Sequence, residues 1–152
     1  MSGVFIQAGF DSSAITHHLA MLAIMDAQGF DDTRREIGEY MVGDIQDNLD
    51  GQKLFDGRAM PQSKAAIARK GKTLIRKHHL YDSYVYQLRA GGVEIGSALV
   101  YAAIHHFGGN RAIASKRGPV QPLPARPVMG IGARQEKRIG DLLIADIQRA
   151  QR

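Results

Sequence analysis

The sequence predicts an α+β domain: an antiparallel sheet of about four strands covered by two N-terminal helices and one C-terminal helix, with a long basic arm. Three observations predict it. Apolar residues recur at helical spacing near both ends of the chain. Strand-like alternation flanks the Ala90-Gly91-Gly92 turn. Between helices and hairpin lies a stretch rich in Lys and Arg and poor in large apolar side chains.

Taken in order, Gly3–Phe10 alternates loosely and predicts a short edge strand. Asp11-Ser12-Ser13 supply N-cap side chains for a helix reaching about Gln28, with Ile15, Leu19, Leu22 and Met25 as its apolar stripe and Gly29 as its stop. Asp31-Asp32 cap a second helix, Thr33 to Asp50, whose stripe is Ile37, Tyr40, Met41, Ile45 and Leu49 and which Gly51 ends. The short link Gly29–Asp32 makes the two helices neighbours. Residues 51–79 carry turn signals at Asp56-Gly57-Arg58 and Met60-Pro61, and no acid from Gln62 to His79. They read as an extended, partly mobile basic arm holding one short helix around Ala65–Ala68, because so few apolar groups cannot offset the entropy of ordering.

Leu80–Leu88 opens the sheet, and Val93–Ser97 is the return strand of a hairpin. Val100–Ile104 reads as a further strand running into an aromatic-histidine turn. Residues 109–122 are a polar loop with Gly and Pro, expected to be flexible. Leu123–Ile131 is the last strand, irregular at its start or lying at an edge, since Pro124 and Pro127 have no ladder donor. Gln135–Gln151 closes the chain as a helix with Ile139, Leu142, Leu143 and Ile147 inward. At 152 residues the default is one domain spanning the chain.

Composition narrows the class. Apolar and charged contents are ordinary for a globular chain. No apolar run has membrane-spanning length, and the N-terminus lacks the pattern of a secretion signal. Cysteine is absent, which excludes disulfides and thiolate metal sites and fits cytoplasmic production. The net charge of +5 conceals an asymmetry: −7 over residues 1–50, +7 over 51–90 and +6 over 110–152. Such a chain is complementary to its own copies, or offers a basic face to DNA or an acidic partner; the same charges also suit plain solvated surfaces.

Catalytic patterns are missing. Three His-His pairs occur, at 17–18, 78–79 and 105–106. Neighbouring histidines diverge by about 100° on a helix and point to opposite faces on a strand, so a pair does not chelate one ion, and no third ligand stands at a recognisable spacing. The expectation is no metal and no cofactor. A His-Asn-His nuclease reading of His105-His106 fails because no histidine follows His106. Asp82, Glu94 and Asp141 form no two-carboxylate spacing, and the glycine pairs match neither a phosphate loop nor a dinucleotide fingerprint.

The most informative stretch is 101–130. Tyr101, Ala102, His105, Phe107 and Gly108 spell YA-x-x-H-x-F-G, and after a loop come Pro124, Ala125, Arg126, Pro127 and Gly130. This pair of motifs resembles that of the virion morphogenesis (tail completion) proteins of Mu-like and related tailed phages. The resemblance covers roughly residues 35–148 and is strong at 101–108 and 124–130. A further family motif containing tryptophan survives only as fragments, Asp56–Pro61 and Arg69-Lys70-Gly71-Lys72, since the chain has no tryptophan.

The resemblance implies a structural virion protein, not an enzyme. It would complete the tail or join tail to head as part of a hexameric ring at the neck or tail end, with itself and neighbouring neck, portal-side or tail-tube proteins as partners and non-specific DNA contact in the lumen. Assembly residues on this reading are Tyr101, His105, Phe107, Pro124, Arg126 and Pro127. Arg126 carries the most weight, because two prolines fix the backbone around it and so aim one guanidinium, suited to a bidentate carboxylate pair within the domain or across an interface. Asp44 and Asp47 are expected to face outward from the second helix and to meet basic segments of the next subunit, so that reversing both would slow assembly without unfolding the monomer. The alternative is a stand-alone basic nucleic-acid-binding protein using 62–79 and 111–126, which has the charge but no stacking platform.

Overall fold

A computed structural model describes residues 30–111 and 121–150, together with positions 13, 16, 17, 19, 20 and 23, all of them helical. The expected strand Gly3–Phe10, most of the first helix and residues 112–120 of the expected loop lie outside the described residues.

Helix α1 spans Asp31–Asp50 and is the spine of the molecule. Ile37, Met41, Ile45 and Leu49 are buried at helical spacing, as the stripe predicts; Tyr40 is only half-buried. The expected cap is corrected. Phe30 is the N-cap, in left-handed conformation, and no side chain caps the helix. Asp31 and Asp32 sit inside the first turn, where carboxylates are favoured by the helix dipole and pair with Arg34 and Arg35.

The segment after α1 is not an extended arm. Gln52 takes a left-handed turn, and its side-chain Nε2 donates to the carbonyls of Leu49 (2.6 Å) and Thr73 (3.1 Å). Its amide oxygen accepts from the Thr73 N–H at 2.6 Å. Lys53 and Ala59 form an isolated bridge, and helix α2, Lys64–Ala68, is capped by the Ser63 hydroxyl. Leu54, Met60 and Leu80 join Ile45 and Leu49 in the core, and Ala66 is buried too. Four modest apolar anchors and one glutamine fold the segment back onto the end of α1. Lys72 and the Tyr81 hydroxyl also bond Asp50 and hold its carboxyl below the usual range.

Strands β1 (Tyr84–Arg89) and β2 (Gly92–Ser97) form the expected hairpin, with Tyr86 opposite Ile95 and Gly91 at positive φ in the turn. It packs on α1, where the Tyr86 ring lies over Gly38. A Cβ at Gly38 would stand 2.4 Å from Tyr86 Cδ2, whereas Gly43 has nothing within 4 Å. Gly38→Ala is therefore expected to destabilise by about 1–3 kcal/mol through overpacking, partly offset by helix propensity. Gly43→Ala is expected to stabilise by about 0.5–1 kcal/mol. Urea midpoints moving in opposite directions check this contrast.

Two further expectations are corrected. Val100–Phe107 is a helix, α3, rather than a strand and turn. The run has no turn residue before Gly108, and helical spacing lets Ala102 enter the core while Tyr101 and His105 share a face. The last strand does not run over Leu123–Ile131: only Leu123 of that stretch is in a strand, β4 (Gln121–Leu123), which pairs with β3 (Gly109–Arg111), so both described ends of the expected loop 109–122 are ladder. The ladder stops where Pro124 and Pro127 offer no N–H. Among the described residues the strands thus make two separate two-stranded ladders, not one sheet of four.

Helix α4, Ala133–Ala150, lies antiparallel on α1: Asp44 meets Arg134 and Gln135, and the Thr33 hydroxyl donates to Asp146. The Gln135 side-chain oxygen accepts from the N–H of Gly132 at 3.1 Å, closing the start of the helix. Ile139, Leu142 and Ile147 are half-buried, but Leu143 is exposed, so the expected stripe is rotated from the contact.

Candidate functional site

The two halves of the sequence motif meet in space. Gly108 ends α3 with φ 72° and ψ −173°, a conformation that is essentially glycine's alone. A Cβ there would lie 2.8 Å from both the Ala125 nitrogen and the Leu123 oxygen. Gly109 then pairs with Leu123, and the Arg126 N–H donates to the His105 carbonyl at 2.8 Å. The spacing of the motif is accordingly that of a backbone junction. The glycine lets the Pro-Ala-Arg-Pro strap pass against the end of α3.

That junction aims Arg126. The residue is 3% exposed, and its Nε donates to the Pro61 carbonyl at 2.6 Å. Burial pushes the guanidinium pKa below the usual arginine value. No carboxylate among the described residues pairs with it. The Pro127 carbonyl accepts from the Phe55 N–H at 3.0 Å, while Pro124 is exposed. Tyr101 and His105 stand edge to face, with ring centres 6.0 Å apart.

Arg126, Tyr101 and His105 line a cleft of about 840 Å³. Residues 62–65, Arg69, Leu74, Arg76, Lys77 and Pro122–Pro124 line it as well. None of its described lining residues is acidic. Arg69 is held by its own bonds to the carbonyls of Lys72 and Ile75, whereas Lys64, Arg76 and Lys77 are exposed. Both basic segments are evident in the sequence, but their meeting depends on the fold-back at Gln52 and Thr73.

Phe107 and Val100 lie on the outer side of α3, at 77% and 94% exposure. With exposed Ala103 they line an uncovered apolar stripe, spaced i, i+3, i+7. The repeat was legible in VYAAIHHF once a helical period is applied. His106 packs edge-on against the Phe107 ring at 4.6 Å, and burial lowers its pKa. Among the described residues no three His, Cys, Asp or Glu side chains converge as a metal site.

Asp44 and Asp47 part company. Asp47 is exposed, as expected. Asp44 is 5% exposed, and this corrects its outward placement. Its carboxylate accepts from Arg134 Nη1 at 2.5 Å, Gln135 Nε2 at 2.9 Å and Asn48 Nδ2 at 3.4 Å. Asn48 and Gln135 also donate to the carbonyls of Val128 and Phe55. Asp44 thus joins α1 to α4 and to the strap. An acid four residues before an asparagine on a helix signals such a hub only once a partner helix is in place.

The motif residues of this small α+β fold thus build a backbone junction beside a basic cleft and an exposed apolar stripe. The chain belongs to the phage virion morphogenesis family, whose sequence model matches residues 11–148. That membership gives it a role in bacteriophage virion assembly. No curated protein and no solved structure shows a significant match to the chain. No helix among the described residues is long and apolar enough to cross a membrane.

Proposed function

We propose that the protein completes the phage tail, or joins tail to head, as one subunit of a homo-oligomeric ring at the neck or tail end, hexameric in stoichiometry. The observation that carries this is the α3 stripe: a phenylalanine and a valine left 77% and 94% exposed beside the motif junction. Contiguous bare apolar surface of this kind is typical of protein–protein contacts. The stripe meets a different surface of the next copy, which is the head-to-tail arrangement that closes into a ring. The unequal charge of the two halves steers the encounter, with Asp47 and Glu39 on the exposed side of α1. Neighbouring virion proteins bind the faces of the ring, and its basic segments touch DNA in the lumen without reading sequence.

Phe107→Glu is expected to leave the monomer folded by circular dichroism and to abolish the ring in sedimentation velocity, with tails or heads accumulating unjoined in a complementation assay. Wild-type sedimentation and titre in Phe107→Glu would refute the interface.

A further inference from the structure

The cleft has a chemistry that ring closure does not use. Its lining is basic and carries no carboxylate among the described residues. Arg126 is the telling group. Among the described residues its guanidinium donates to the Pro61 carbonyl through Nε, and no acid there pairs with it. A charge drawn this far out of water gains from a counter-charge, and the guanidinium lines the cleft rather than being sealed beneath it, where an anion can reach it. It is also preset: the flanking prolines and the bond from its N–H to His105 fix the backbone that carries it.

We propose that this cleft docks an acidic peptide segment of a partner protein, one carboxylate pairing with Arg126 while its neighbours meet Lys64, Arg76 and Lys77. Shape selects that occupant. The volume, about 840 Å³, is that of a built ligand pocket. An extended segment can lower a side chain onto Arg126. Duplex DNA is stiff over about 50 nm and presents its phosphates on a rod, which reaches the rim cations but not a residue on the wall. The acids on the outer side of this chain's own α1, Glu39 and Asp47, ride on a helix roughly 10–12 Å across, a poor fit for the same space. The proposal rests on the assembly reading for the partner's being another virion protein; the binding itself does not.

The test is fluorescence anisotropy of labelled hexaglutamate with the full-length protein, with inorganic phosphate, short duplex DNA and unlabelled hexaglutamate as competitors. Wild type is expected to bind the peptide. The double reversal R76E/K77E is expected to weaken binding about tenfold or more; both side chains are exposed, so the fold should survive. Arg126→Gln is expected to weaken it similarly with an unchanged dichroism spectrum, and if that variant does not fold the rim reversal decides. A charge-matched control away from the cleft, K53E/R138E, should change affinity by less than roughly threefold. No binding by wild type, or equal weakening by cleft and control reversals, overturns the proposal. So does displacement by duplex DNA or phosphate at concentrations below those of hexaglutamate, or dissociation of an oligomer by the peptide, which would make a second copy the occupant. A monomer that binds hexaglutamate refutes the ring and keeps this site; a ring that ignores the peptide does the reverse.

Discussion

Gly108→Val is expected to unseat the β3–β4 ladder from α3 and to lower stability by about 2–6 kcal/mol, from backbone strain of ~1–3 kcal/mol and overpacking of ~1–3 kcal/mol. Its φ of 72° with ψ near 180° excludes a β-branched residue, and the new Cβ would press within 2.8 Å of two backbone atoms that no rotamer change can move. Because the Arg126 N–H is bonded to His105 beside this contact, the cleft should open with it. Chemical denaturation measures the loss, and hydrogen exchange locates it. Faster exchange confined to residues 100–128 is the expected pattern. A Gly108→Val protein with the wild-type urea midpoint would show that the junction is loosely packed. The matched control is Gly109→Ala, also at positive φ but with nothing within 4 Å of the added carbon, which should cost only its strain, about 1 kcal/mol.

Asp44→Lys is expected to cost about 3–5 kcal/mol, the scale for breaking a buried charge pair. The lysine would face the Arg134 guanidinium and leave the amide groups of Gln135 and Asn48 without their shared acceptor. For a domain of this size that shift corresponds to roughly 6–20 °C in Tm. Asp47→Lys, on the exposed side of the same helix, should stay within about 0.5 kcal/mol. The two reversals thus separate what the sequence treats as a pair. Asp44 tests folding and Asp47 tests encounter, the latter read as a salt-dependent change in association rate. Equal and small stability effects from both would mean that the α1–α4 network is not a structural hub.

Why Asp44 escaped sequence reasoning is instructive. The α1 stripe at 37, 41, 45 and 49 was legible from period alone, and it places position 44 beside the core rather than opposite it. Whether such a flank is wet depends on what packs there, and only α4 supplies the arginine and glutamine that make a buried carboxylate tolerable. The same limit applies at α3. A short run such as VYAAIHHF suits a strand or a helix, and length and neighbours arbitrate. Here Gly108 and the strap passing beneath it favour the helix.

The sequence by itself determined what depends on local periodicity and backbone chemistry. The spine helix, the hairpin at Gly91, the C-terminal helix and the paired motifs that mark the family all follow from residue order and short-range sterics. Tertiary structure alone decided what depends on distant groups sharing one low-dielectric space. Gln52 binds Thr73, so a basic segment that reads as an arm becomes the wall of a cleft. Gly108 meets Ala125, so two motifs separated by a loop become one junction. Arg126 is buried without an acid among the described residues, so a charge that looks like surface becomes the feature most in need of a partner. These are long-range contacts whose free energy appears only after chain closure, and no window of sequence contains both members.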